Sequence, residues 1–151
     1  MPPQRWIVSA ICHLFSPRLV FPRLLRYNDS MFTVVVKTEF FAEHQLTMSD
    51  GSKESLHGHR WKVAAAVASE TLDAAGLAFD FNLLREMLDR IIRPFVGRRL
   101  EEHQPFQLAN ASAENVARHI FEQLAGQITP PIQLCWVEVT EAAGCKVRYE
   151  P

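Results

Sequence analysis

The sequence predicts an α+β domain: a four-stranded antiparallel sheet with two helices on one face, in the order ββααββ. Three observations predict it. Residues 31–69 hold two long runs rich in β-branched, aromatic and other apolar residues, which fit a pleated, half-buried surface. Apolar residues then recur at helical spacing over 83–92 and again over 116–124, as one buried helix face requires. Two shorter strand-like runs follow the break at Pro130-Pro131. Hairpins at both ends with helices between them give an antiparallel sheet with its helices on one side.

Phe32 to Ala42 reads as the first strand. Residues 45–56 are polar, with Ser49-Asp50-Gly51-Ser52 as turn chemistry. His57 to Ser69 reads as the second strand. Its odd positions, His57, His59, Trp61, Val63, Ala65 and Val67, share one face because strand side chains alternate. Gly76 marks a turn, and Asp80 can cap the first helix by accepting the free N–H groups of its opening turn. Leu83, Leu84, Met87, Leu88, Ile91 and Ile92 supply that helix's apolar positions, and Pro94 lies near its end. Residues 97–110 read as irregular and charged. Asn110 or Ser112 can cap the second helix, with Glu114 favourable in its first turn and Val116, Ile120 and Leu124 as its stripe. Ile132 to Val139 reads as the third strand, Ala142-Ala143-Gly144 as a tight turn, and Cys145 to Tyr149 as the fourth strand.

The chain has 151 residues, a formal net charge of −1 and 48% hydrophobic residues. That suits one globular domain with a real core. The balanced charge argues against a nucleic-acid partner, and no apolar run approaches a membrane span. Cys12, Cys135 and Cys145 form no CxxC pair and no even disulfide framework, so a reducing cytoplasm is the default. An open four-stranded sheet leaves two edges that invite pairing, so a homo-oligomer is expected. Residues 1–30 are set apart as an N-terminal extension before a domain at 31–151. Arg5, Arg18, Arg23 and Arg26 precede the first acid, Asp29, as in a targeting peptide. Met31 opens the first clean strand pattern, which favours a flexible tail or a start assigned too early.

Three histidines carry the chemistry. On a strand, His57 and His59 present both imidazoles on one side, and Gly58 leaves the other side bare. His44 ends the run Phe40-Phe41-Ala42-Glu43 and completes a facial set of three if the two strands pair. Three neutral nitrogen ligands suit zinc and leave a fourth position for water or substrate. The plain alternative is a pair of packed or surface histidines, the usual meaning of a lone His-x-His. The third histidine brings the two readings level.

Five segments, in order, resemble the 6-pyruvoyltetrahydropterin synthase and 6-carboxytetrahydropterin synthase family across about residues 31–150. They are Phe41-Ala42-Glu43-His44, Leu56-His57-Gly58-His59, Gly76-Leu77-Ala78-Phe79-Asp80-Phe81, Ala111-Ser112-Ala113-Glu114-Asn115, and Glu138-Val139-Thr140-Glu141 with Ala143-Gly144. The resemblance implies a tunnelling fold (T-fold), in which trimeric rings of sheet stack into a homohexamer with sites between subunits. It implies Zn2+ on His44, His57 and His59, binding the side-chain hydroxyls of a reduced pterin, 7,8-dihydroneopterin or its triphosphate. It also implies substrate contacts from Glu141, whose carboxylate suits the pterin's two-donor edge, and from Ser112 at the start of the second helix.

Two departures from the family pattern bear on the reaction. Where the family has a cysteine base, four residues before the HGH motif, this chain has Lys53. Glu54 instead gives Glu54-Ser55-Leu56-His57-Gly58-His59, an ExxHGH pattern resembling the branch that cleaves dihydroneopterin to 6-hydroxymethyl-7,8-dihydropterin for folate. Glu54 is then the expected general base of a retro-aldol cleavage. The family's Leu-Asp-His segment is poorly kept. Glu102-His103 is the nearest match, with His103 expected to relay a proton and Glu102 to orient it. The alternatives are a 6-carboxytetrahydropterin synthase of queuosine biosynthesis, with another group replacing the cysteine, and a non-catalytic homologue that binds pterin or zinc.

Overall fold

A computed structural model describes residues 30–151. The expectations for residues 1–29 lie outside the described residues. The elements follow the predicted order: β1 Phe32–His44, β2 His57–Ser69, α1 Phe81–Ile92, α2 Ala113–Ala125, β3 Gln133–Ala142 and β4 Cys145–Tyr149. The four strands form one antiparallel sheet in sequence order, β1-β2-β3-β4.

Alternation sorts the sheet into two faces. Val34, Val36, Phe40 and Ala42 of β1, Trp61, Val63, Ala65 and Val67 of β2, and Val137 and Val139 of β3 are buried in the core shared with the helices. Asp80 caps α1, its Oδ1 accepting from Asn82 N at 2.7 Å, and the helix buries Leu84, Leu88 and Ile92. Thr38 Oγ1 donates to Asp89 Oδ1 at 2.8 Å and ties β1 to α1. Ser112, not Asn110, caps α2, which buries Val116, Ala117, Ile120, Phe121 and Leu124. The opposite face carries ion pairs, with Glu138 between Lys146 and Arg148 and Glu39 against Arg60.

Two differences from the sequence expectation matter for the site. β1 runs past Ala42 to His44, and β3 past Val139 to Ala142. Both extensions are held by strand pairing, which hydropathy alone does not encode. Residues 97–110 are also less irregular than their charge suggests. Gly97 N donates to Phe41 O at 2.7 Å and Glu43 N to Arg98 O at 3.0 Å, so this segment docks along the free edge of β1. Short 3-10 turns at Leu100–Glu102 and Gln104–Phe106 then drive Leu100 and Phe106 into the core.

Candidate metal centre

The register of the first hairpin builds the site. His44 lies directly opposite His57, and His59 opposite Ala42 two residues further along the same face. The three rings stand edge to face, with centroids 4.5 Å (His44–His57), 5.3 Å (His44–His59) and 4.9 Å (His57–His59) apart. Trp61 closes the floor. It is fully buried, stands 4.8 Å from the His44 ring, and donates Nε1–H to Ala42 O at 3.2 Å. Gly58 has a local reason to lack a side chain. A Cβ there would stand 2.6 Å from Phe41 Cζ, so the Phe41 ring occupies the space behind the histidine pair.

Two of the rings are aimed from behind. His44 Nδ1–H donates to Ala111 O at 2.8 Å, and His57 Nδ1–H donates to Ser55 O at 2.7 Å. A carbonyl oxygen only accepts, so each Nδ1 carries the proton and each Nε2 presents a lone pair. Backbone partners of this kind fix tautomer and ring direction in metal-ligating histidines. His44 is fully buried, yet its Nε2 has no hydrogen-bond partner. An orphaned buried nitrogen calls for a partner, and a cation fits it. Burial pushes the His59 imidazole pKa below the ordinary value; Glu141 opposes the shift, and His44 and His57 add to it. A neutral imidazole is the form that binds metal.

Glu141 faces the histidines because it continues the inward set Val137 and Val139 on β3. Its Oε1 lies 2.9 Å from His44 Nε2 and 3.5 Å from His59 Nε2. With the His44 proton on Nδ1, its Nε2 and this carboxylate oxygen are two acceptors face to face, an arrangement that a cation between them would relieve. Donor atoms of His44, His57, His59 and Glu141 all lie within 4.8 Å of one another, a group that could hold a metal ion. Three neutral nitrogens are a ligand set that zinc accepts with one position open, and Glu141 stands beside that position.

A small hairpin delivers the other predicted residues. Thr47 bridges Lys53, and Glu54 N donates to Leu46 O at 3.0 Å. Glu54 is half-buried, and its carbonyl accepts from Gln45 Nε2. Its carboxylate is not in the four-residue group. Ser112 Oγ accepts from Asn115 N at 3.4 Å, next to the Ala111 carbonyl that holds His44.

Glu102 and His103 do not join this group. Glu102 is exposed, with no side-chain hydrogen bond to His103 among the described residues. His103 sits between the two 3-10 turns and packs edge-on to Phe95 at 5.1 Å. It lines a separate recess with His119. The acid that turns toward β1 is Glu101, whose Oε1 accepts from Gln45 N.

Asn110, a cap candidate by sequence, is a clamp. Its Oδ1 accepts from Thr47 N and its Nδ2 donates to Thr47 O, both at 2.8 Å, holding the hairpin that carries Lys53 and Glu54. No local pattern marks Glu101 or Asn110, because their partners lie 56 and 63 residues away.

The family model for 6-pyruvoyl tetrahydropterin synthase matches residues 33–151, which includes every residue of this centre. The chain belongs to the 6-pyruvoyl tetrahydropterin synthase family. A curated relative from Synechocystis, named 6-carboxy-5,6,7,8-tetrahydropterin synthase, is 29% identical over 126 residues, 79% of this chain and 93% of that protein. One of the same name from Rickettsia conorii is 25% identical over 105 residues, 58% of this chain and 76% of that protein. Among solved structures, the Caenorhabditis elegans 6-pyruvoyl tetrahydropterin synthase superposes with a TM-score of 0.71 at 20% identity, covering 81% of this chain and 96% of that one. The Plasmodium vivax synthase gives 0.66 at 17% identity, covering 82% and 99%. These neighbours establish the T-fold for the chain.

Proposed function

We propose that this family member is a zinc-dependent enzyme acting on the C6 side chain of a reduced pterin. Its product is 6-carboxy-5,6,7,8-tetrahydropterin, formed from 7,8-dihydroneopterin triphosphate. The observation that carries the reading is the convergence of His44, His57 and His59 beside an inward-facing carboxylate. The names of the curated relatives favour the carboxylated product over the hydroxymethyl product expected from Glu54.

Bound zinc supplies Lewis-acid polarisation and lowers the pKa of a substrate hydroxyl. The chain's own residues do the positioning. The Ala111 and Ser55 carbonyls hold the rings of His44 and His57 in aim, and Trp61 keeps water from beneath them. Glu141 offers its carboxylate to the pterin's two-donor edge. Ser112 Oγ accepts within its own helix cap, which leaves its hydroxyl proton free for a substrate acceptor. β4 and the part of β1 before Phe41, which the segment at 97–99 leaves uncovered, are edges suited to closing a ring of subunits, so we assign a dimer of trimers. We assign the cytoplasm as its compartment, where Cys135 and Cys145 stay reduced.

One observation favours a second reading. Lys53 stands where the resemblance expects a cysteine, and Glu54 follows it. A solved variant of the Plasmodium vivax synthase carries alanine in place of a glutamate described as a catalytic residue. Under this reading Glu54 takes the proton of the hydroxyl on the second side-chain carbon, and the bond between the first two carbons breaks with its electron pair passing into the pterin ring. The outer two carbons leave as an aldehyde (glycolaldehyde from dihydroneopterin), and the retained carbon takes a proton to give 6-hydroxymethyl-7,8-dihydropterin. Incubating the zinc-loaded chain with 7,8-dihydroneopterin triphosphate and with 7,8-dihydroneopterin, then identifying products by mass spectrometry, separates the two. The carboxylated product supports the first reading. The hydroxymethyl product supports the second, and Glu54→Gln should then slow turnover about 10²–10⁴-fold with zinc content unchanged. No product from either substrate overturns both and leaves a binding protein.

A further inference from the structure

Glu141 is the one residue of the four that lies outside the first hairpin, and its setting differs from that of its neighbours. Its side chain is 25% exposed, beside a His44 ring with no exposure at all. Among the described residues its ion-pair partners are His44 and His59 alone. Glu138, three residues earlier, is by contrast clamped by Lys146 and Arg148 on the other face. The pairing of β3 with β4 explains the difference. Thr140 pairs with Lys146 and Ala142 with Cys145, so Glu141 is the extra residue of a bulge. A bulged residue is left out of the ladder, and bulges re-aim side chains beside active sites.

The distances carry the argument further. A tetrahedral ion with bonds of about 2.0–2.1 Å sets its donors about 3.3–3.4 Å apart. Glu141 Oε1 stands 2.9 Å from His44 Nε2 and 3.5 Å from His59 Nε2, on either side of that spacing. This oxygen is therefore placed where a fourth donor belongs.

We infer that Glu141 holds the fourth position on the metal until substrate arrives, and that the pterin's two-donor edge draws it away. The inference rests on the metal and pterin reading above and deepens it. The two tasks exclude each other. The pterin edge takes both carboxylate oxygens, whereas here Oε1 is turned to His44 and His59. Glu141 thus trades the metal for the pterin, and its withdrawal frees the position that the side-chain hydroxyls take. Recognition of the ring becomes the condition for reaching the metal. A free polyol has no such edge and leaves Glu141 in place.

The test starts from the zinc-loaded full chain and follows zinc transfer to a chelating dye, in wild type and Glu141→Gln. Each is measured with and without pterin itself, which has the donor edge but only hydrogen at C6. Without pterin, Glu141→Gln should hold zinc about tenfold more weakly or worse, since loss of a partner behind a ligand already costs about 10–100-fold. The visible spectra of the two cobalt-substituted proteins should differ. Equal zinc affinity overturns the proposal. So does weaker affinity with identical cobalt spectra, because Glu141 is then a nearby charge and not a ligand. In wild type, saturating pterin should lower zinc affinity about tenfold, within the usual range of coupling between two sites, because it removes one donor and brings no hydroxyl. In Glu141→Gln it should change nothing. An affinity unchanged or raised by pterin in wild type overturns the exchange. That arm needs no variant, so it decides the outcome if Glu141→Gln misfolds. Pterin fluorescence reports binding directly. If pterin does not bind, the pterin reading has failed and the exchange with it, while the zinc and cobalt comparison still decides whether Glu141 is a ligand. If wild type holds no stoichiometric zinc, the metal reading has failed and overturns this inference too.

Discussion

At the scale of single residues, the centre depends on how each ring is held as much as on which ring it is. His57 has one nitrogen occupied by the Ser55 carbonyl and the other turned toward His44 and His59. His57→Ala should weaken metal binding by more than the roughly 10–100-fold that loss of an outer-shell partner costs, read by competition with a chelating dye. Affinity unchanged in His57→Ala would remove it from the ligand set. Gly58 makes a sharper prediction. A methyl at Gly58 must displace the Phe41 ring, and forcing an extra carbon into a filled space costs about 1–3 kcal/mol. Phe41 is half exposed and can swing outward, so the low end applies. Gly58→Ala should lower unfolding stability by about 1 kcal/mol, and the same change made in a Phe41→Ala background should cost clearly less. Equal costs in both backgrounds, measured by urea unfolding, would show that the contact is not what keeps Gly58 small.

At the scale of elements, the hairpin at residues 46–54 is held in place by one side chain from the other end of the site. Asn110 pairs with both backbone groups of Thr47, and Asn115 Nδ2 in turn donates to Asn110 O at 2.9 Å. Asn110→Ala should loosen the hairpin while leaving α2 intact, because Ser112 is the cap. Losing two hydrogen bonds of about 1 kcal/mol each should speed amide exchange at Thr47 and Glu54 by tens-fold. Faster exchange in α2 instead would return Asn110 to a capping role. Much of the element layout was legible in the sequence. Alternation marked β2 from His57 to Ser69, and the apolar spacing marked both helix faces. Alternation also separated Glu141 from Glu138, which faces the other way in a pair of ion contacts. What was not legible depends on distant partners. The ends of β1 and β3 are fixed by neighbouring strands. Glu101 and Glu102 are the same residue type side by side, and only the 3-10 turn decides which one meets Gln45. The relay role expected of His103 rests on a family segment that this chain keeps poorly, and the structure places its ring against Phe95, outside the group of His44, His57, His59 and Glu141.

At the scale of the whole molecule, the aromatic cluster under the helices makes stability depend on pH. His119 of α2 lies against Phe95 and Phe106, with ring centroids 5.8 Å from each. Burial pushes its imidazole below the ordinary 6.5, and Glu122 opposes this. Below about 6.5 the unfolded chain therefore binds more protons at this position than the folded one, and stability falls as pH drops through that window. His119→Gln should flatten the slope of unfolding free energy between about pH 7 and pH 5. One proton sets a ceiling of about 1.4 kcal/mol per pH unit on the change. A slope identical to wild type would contradict the assignment.

The central claim is that one divalent ion sits among His44, His57 and His59. Zinc K-edge absorption spectroscopy on the reconstituted full chain tests it directly. The account predicts one zinc per protomer with three imidazole nitrogens at about 2.0–2.1 Å and oxygen completing the shell. Sulfur in the shell, fewer than three imidazoles, or no stoichiometric zinc would contradict it.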